Sequence, residues 1–199
     1  SDLGTVGPTR CKQRRDRVTG DSAVWVDGVT KVFGSSVVLE EISLRVGIGE
    51  FVAILGPSGA GKSTLLRIVG GHLQADAGDI WIHGERTTGL NPEQIPTATV
   101  FQSHALFPHL TVAENVGFGL RAKGWNPRKI KARVAELLDL VGLGGFGSRQ
   151  VSDLSGGESQ RVATARALAV EPRVMLMDEP LAALDRNTRE RLQIDLKEL

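Results

Sequence analysis

The chain has one cysteine, Cys11, and no tyrosine in 199 residues. A single thiol excludes an intramolecular disulfide framework and a cysteine-built zinc site. An excess of charge of one sign is also lacking, with 24 Lys and Arg against 23 Asp and Glu and a formal net charge of +1. That balance gives no reason to expect a general nucleic-acid binder. No apolar run is long enough to span a bilayer, so any membrane role is read as peripheral. The first residues lack the apolar core of a signal peptide, which makes the cytoplasm the default compartment. What remains, 41% hydrophobic and 24% charged, reads as an ordinary globular protein of one domain or of one domain in two lobes. Glycine is plentiful at 24 residues, and many fall in clusters that look chemical.

Residues 1–20 carry no hydrophobic period. Arg10, Lys12, Arg14, Arg15 and Arg17 stand there against Asp2 and Asp16. The segment reads as a basic, solvated, disordered leader, with contact to an anionic membrane as the alternative. Order is expected from Ala23. Val24, Val26 and Val29 begin a strand-like region running to Phe33, and Ile42, Leu44 and Val46 alternate through a second. Phe51–Leu55 is continuously apolar and reads as a strand covered on both faces, as in parallel sheets. Ser63–Val69 looks helical, and Ile80–His83 and Thr97–Phe101 read as short strands. Thr111 with Glu114 makes a capping box, so a helix is expected from Val112. Asn126 followed by Pro127 is an N-cap with proline at the first helical position. Ile130, Val134, Leu137, Leu138 and Val141 line one face of that helix. The middle of the chain is thus read as a helical lobe, about 103–155, inserted between strands. Arg173–Asp178 returns to a buried strand, and a charged helix is expected from Asn187.

The strongest chemical signal is Gly56-Pro57-Ser58-Gly59-Ala60-Gly61-Lys62-Ser63-Thr64, which satisfies G-x-x-x-x-G-K-[ST] in full. Its glycines let successive backbone N–H groups turn inward around phosphate oxygens, and the following helix adds its dipole. Lys62 is expected to reach the β- and γ-phosphates and the Ser63 hydroxyl to bind Mg²⁺. The second signal is Val174–Met177, four apolar residues that deliver Asp178 and Glu179 at a strand's C-terminal end, where open α/β sheets bind ligands. Behind a phosphate loop, Asp178 fits a Mg²⁺ partner acting through water and Glu179 the group that polarises attacking water. The third is Leu154-Ser155-Gly156-Gly157-Glu158, opening a helix through Val162 to Ala169. That is a second helix start able to meet an anion, although the pattern alone also fits an N-cap with flexible glycines. Gly142-Leu143-Gly144-Gly145-Phe146-Gly147 spells G-x-G-x-x-G, but it follows a helix and reads as a flexible loop.

These three motifs in this order resemble the ATP-binding subunit of ABC transporters, from about Val24 onward. The resemblance implies an α/β P-loop NTPase (RecA-like) core with an antiparallel β subdomain and an inserted α-helical subdomain, spanning 21–199. It implies two such domains facing head to tail, with Ser155, Gly156 and Gly157 meeting the γ-phosphate held on the other subunit's loop. Phe33 matches the aromatic that stacks on adenine, while Trp25 is read as strand packing. Gln102 matches the glutamine that approaches Mg²⁺ and the attacking water. Ala105–Leu110 matches the lining of a groove for a short helix of the membrane subunit, ordinary packing being the compatible alternative. Asp185 matches a residue of the loop that crosses the dimer interface.

Some positions depart from the pattern. Glu158 replaces a common glutamine, and Ala182 and Ala183 stand where a serine is frequent. A histidine expected well past Asp185 is not matched by His72, His83, His104 or His109, so the sequence is read as C-terminally truncated and poorly hydrolytic. The stretch from Ala105 to Val116 resembles importers of sulfate, polyamine, iron or sugar. The expected partners are a second ATP-binding subunit, transmembrane permease subunits and a solute-binding protein, with no nucleic acid, at the cytoplasmic face of the membrane. The expected cofactors are ATP and Mg²⁺. The alternatives are a non-transport ATPase of the superfamily, acting in translation or DNA repair, and a nucleotide-binding regulatory protein.

Overall fold

A computed structural model describes residues 22–101 and 105–178. The chain divides into two compact units, one through Ile95 and one from Pro96.

In the first unit β1 (Ser22–Phe33) and β2 (Ser36–Gly47) form an antiparallel hairpin, joined by β3 (Ala77–Ile82) and β4 (Glu85–Arg86) in the order β2-β1-β3-β4. The second strand begins at Ser36, well before the expected Ile42. Alternation sets Val24 and Val26 opposite Val46 and Leu44 on one side and Ile82 and Ile80 on the other. Those residues share one sheet face. The opposite face carries Trp25, paired in register with Arg45 and Trp81. The two indoles stack with centroids 4.4 Å apart, and the Arg45 guanidinium lies 4.6 Å from the Trp25 ring. Trp25 is therefore strand packing, as expected. His83 and Gly84 both take positive φ, the conformation of a tight type I′ hairpin turn, so β3 stops at Ile82 rather than His83. Gly78 is required where β3 crosses β1, because a Cβ there would overlap the Gly28 backbone. Helix α1 (Lys62–Val69) buries Leu65, Ile68 and Val69.

One expectation fails. Residues 51–55 are in no ladder among the described residues, and they are exposed, Leu55 to 89%. Continuous apolarity marks a segment whose faces favour burial, but a strand also needs a neighbour to take its N–H and C=O groups. Among the described residues the antiparallel sheet of this unit orders β2-β1-β3-β4 and does not include the run.

In the second unit β5 (Thr97–Val100) pairs in parallel with β6 (Val174–Met177). Between them run α2 (Val112–Val116), α3 (Phe118–Ala122), α4 (Pro127–Leu140) and α5 (Gly156–Ala169). The expected face of α4 is buried, and Ile130, Val134, Leu137, Leu138 and Val141 pack with Val112, Val116, Leu120 and Val162. Both expected caps form. Glu114 N–H donates to Thr111 Oγ1 at 3.3 Å and Thr111 N–H to Glu114 Oε2 at 2.8 Å. Arg128 N–H donates to Asn126 Oδ1 at 2.9 Å. The G-x-G-x-x-G segment is not a flexible loop but the C-terminal cap of α4. Gly142 N–H donates to Asp139 O at 3.0 Å and Leu143 N–H to Leu138 O at 2.7 Å, the Schellman pattern, with Leu143 buried in the core.

Fully buried Asn115 fixes the chain ahead of α2. Its Oδ1 accepts from Phe107 N–H at 2.8 Å, and its Nδ2 donates to Phe107 O at 3.1 Å and Thr111 O at 3.0 Å. Replacing Asn115 by leucine keeps the branched shape but adds volume in a fully buried position, and it leaves the Phe107 N–H without its acceptor. The expected loss is about 3 kcal/mol, against about 1 kcal/mol for Asn126→Ala, read from urea midpoints at constant slope. Equal losses would show that Asn115 is not the anchor of this segment.

Candidate functional site

The phosphate-loop pattern leads into α1 as expected. Gly61 is the N-cap residue with φ 83°, and α1 has no side-chain cap and no acidic residue in its first turn. A Cβ on Gly61 would come within 2.7 Å of Leu39 Cδ2 and 2.9 Å of Val38 O, so glycine is needed for space as well as for φ. The first N–H groups of α1 have no acceptor within the helix, and no side chain caps them. Lys62 arches back over the loop, its Nζ donating to Gly56 O at 2.9 Å and Pro57 O at 2.8 Å. Ala60 N–H donates to Pro57 O at 3.3 Å and tightens the turn around Ser58 and Gly59. Ser63 and Thr64 occupy the first turn of α1, half-buried, and residues 56–60 are exposed. A left-handed, close-packed glycine leading into a helix N-terminus, with a lysine arched over the loop, suits a phosphate chain.

Phe33 ends β1, opposite Ser36, with 49% of its surface exposed. The Lys31 ammonium lies over its ring, 5.4 Å from the centroid. Asp76 holds that lysine at 3.0 Å and accepts Val32 N–H at 2.7 Å, while its own N–H donates to Thr30 O at 2.9 Å. The Val32 N–H, and then Lys31, keep the Asp76 carboxyl below its ordinary value. Sequence reasoning missed this staple, whose partners lie 45 residues apart in the chain.

The second unit carries the remaining candidates. Asp178 follows β6 directly and is buried, its N–H donating to Val100 O at 3.0 Å, so β5 and β6 end together. Gln102 and Glu179 come shortly after those two strand ends in sequence, but they lie outside the described residues, as do Asp185, the basic leader and the charged helix expected from Asn187.

At the start of α5 the capping box is complete. Ser155 N–H donates to Glu158 Oε2 at 2.7 Å, Ser155 Oγ donates to the same oxygen at 2.7 Å, and Glu158 N–H returns to Ser155 Oγ at 3.3 Å. The sequence reading treated Ser155 as a phosphate contact and overlooked its use by Glu158, although the S-x-x-E spacing carries that signal. The N–H groups of Gly156 and Gly157, in the first turn, have no carbonyl of the helix to reach. Near the other end of α5, Arg166 Nη1 donates to Ala105 O at 2.8 Å and its guanidinium lies 5.5 Å from the Phe107 ring. Burial pushes the Arg166 pKa down. Phe107 in turn packs against the exposed Phe118, with centroids 4.5 Å apart.

Comparison with known proteins follows the same lines. The family described as ABC transporter matches residues 39–182. The spermidine/putrescine import ATP-binding protein PotA of Mesorhizobium japonicum is 48% identical over 182 aligned residues, which cover 89% of this chain and 50% of that protein. The sulfate/thiosulfate import ATP-binding protein CysA of Gloeobacter violaceus is 49% identical over 177 residues, covering 89% and 52%. The chain thus spans about half the length of these curated relatives. The ATP-binding cassette MJ0796, solved as a dimer in a post-hydrolysis state with ADP and Pi, matches with a TM-score of 0.81 at 36% identity, over 88% of this chain and 82% of that one. Its cassette fold accounts for the antiparallel sheet, the parallel strand pair and the helical region alike, and this chain belongs to the ABC transporter family.

Proposed function

We propose that the chain is the ATP-binding and ATP-hydrolysing part of a subunit that powers solute import through a separate permease. The observation that carries this reading is the uncapped start of α1, with Gly61 pressed on β2 and Lys62 arched over the loop. Lys62 exchanges its loop carbonyls for the β- and γ-phosphates, and the first amides of α1 take the remaining oxygens. Phe33 offers an exposed ring to adenine. Ser63, Asp178 and Gln102 are the residues that would hold Mg²⁺, which would neutralise phosphate charge when bound. Glu179 accepts the proton of the attacking water.

The MJ0796 cassette, solved as a dimer, supports a pair here as well, and the family resemblance makes that pair head to tail. In that arrangement Ser155, Gly156 and Gly157 face the γ-phosphate on the partner's loop, and Asp185 lies at the interface. The relatives named for polyamine and sulfate import support an importer whose ATP-binding part sits at the cytoplasmic face of the membrane, with transmembrane permease subunits and a solute-binding protein as partners. No described helix is long and apolar enough to cross a membrane.

Two measurements test the reading. Lys62→Ala removes charge-assisted hydrogen bonds to phosphate and is expected to weaken Mg·ATP binding about 10- to 100-fold by calorimetry. The Glu179→Gln variant is expected to dimerise in Mg·ATP by light scattering. Unchanged affinity in the first variant would remove the site assignment.

The Glu158 cap has its own pH signature. The Ser155 N–H, and then the Ser155 hydroxyl, hold its carboxyl below the ordinary 4.5. A carboxyl depressed by folding stabilises the fold fully above the unfolded value, and that stabilisation is lost as pH falls through the folded value. A carboxyl ¹³C NMR titration of Glu158 should therefore give a midpoint below 4.5, returning toward it in Ser155→Ala. A normal midpoint in the parent chain would mean that the box does not form in solution.

A further inference from the structure

Lys31 is an unusual lysine. Its side chain is 11% exposed, whereas Asp76, which holds it, is 45% exposed. A free lysine stem samples many rotamers in water. This one is fixed at 3.0 Å from Asp76 Oδ1, and Asp76 is itself tied to Val32 N–H and Thr30 O. The ammonium is thereby placed over one face of Phe33 at 5.4 Å, within the range where a cation is attracted to a ring's π cloud. Phe33 itself keeps 49% of its surface exposed.

We propose that Lys31, fixed by Asp76, is a positioning residue for base recognition, setting the plane of Phe33 and polarising the ring toward a purine on its open face. The proposal rests on the reading that Phe33 stacks on the nucleotide base. The physical argument has two parts. A cation on one face blocks that face and holds the ring against rotation, so less freedom is lost when a base arrives. It also draws ring electron density toward itself, which favours an electron-rich purine on the other side. Lys31 acts through the ring rather than by touching the phosphates.

The test compares Mg·ATP with inorganic tripolyphosphate on the full chain, using Lys31→Met, Lys31→Arg, Phe33→Ala and the Lys31→Met/Phe33→Ala pair. Lys31→Met is expected to weaken Mg·ATP about two- to fivefold and to leave tripolyphosphate unchanged. Lys31→Arg, which keeps the cation, should restore ATP affinity, and Lys31→Met should add nothing in the Phe33→Ala background. Unchanged tripolyphosphate binding also reports that the variant's loop is folded. The proposal is overturned if Lys31→Met weakens both ligands equally, since the charge then acts on phosphate or on folding. It is overturned as well if ATP affinity stays the same in Lys31→Met while Phe33→Ala weakens it, a result that leaves the stacking reading intact. If Phe33→Ala itself leaves ATP affinity unchanged, stacking and proposal fall together.

Discussion

A helix cannot satisfy its own first amides, and the way each helix start meets that requirement organises this protein. Three starts are closed by side chains: Thr111 at α2, Asn126 at α4 and Ser155 at α5. Helix α3 follows directly from α2 through Gly117, whose N–H is taken by Ala113 O. Helix α1 starts at a left-handed glycine with no side-chain cap and no acidic residue in its first turn. Its dipole is thus not offset by a carboxylate of that turn, and a cation arches over the preceding loop. The contrast sets the α1 start, to which the proposed phosphate loop leads, apart from the three starts closed by side chains.

The α5 start shows how finely that distinction is drawn. Ser155 and Glu158 close each other, and the carboxylate adds negative charge at the helix end where an anion would otherwise be welcome. A glutamine at that position would close the box without the charge. Nearer the C-terminal end of α5, Arg166 holds Ala105, and Asn115 of α2 holds Phe107, Leu110 and Thr111. The segment 105–111 is thereby clamped by two helices, and Ala105 keeps a positive φ of 46° that its own side chain disfavours.

What was legible in the sequence is what depends on near neighbours. The capping box at Thr111, the proline start of α4, its buried face and the phosphate-loop pattern are all relations within a few residues, where backbone geometry fixes the outcome. Relations that depend on folding were not legible. Asp76 and Lys31 are brought together by β1 and the chain after α1, and neither has a local pattern to announce it. Asn115 looks like an ordinary polar residue on a short helix until the turn at Phe107 folds onto it. The run 51–55 shows the converse: apolarity gave the correct preference for burial and the wrong state, because a ladder is a property of two segments. The glycines of 142–147 misled for a similar reason, since a buried Leu143 behind a left-handed Gly142 makes a helix stop rather than a loose loop.

Gly61 ties these levels together. Its φ allows the loop to turn into α1, and its missing side chain allows α1 to start directly against Val38 and Leu39 of β2. β2 is hydrogen-bonded along its length to β1, whose last residue is Phe33 and whose end is stapled by Asp76 to the chain leaving α1. The phosphate loop and the aromatic ring are therefore connected twice, once through the strand pair and once through the helix exit. A larger residue at position 61 would push α1 off β2 and move the amides relative to the ring, even if the loop kept its turn. The glycine is thus as much a packing residue of the first unit as a phosphate-loop residue, which is why the pattern tolerates alanine at position 60, whose Cβ has room, and not at position 61.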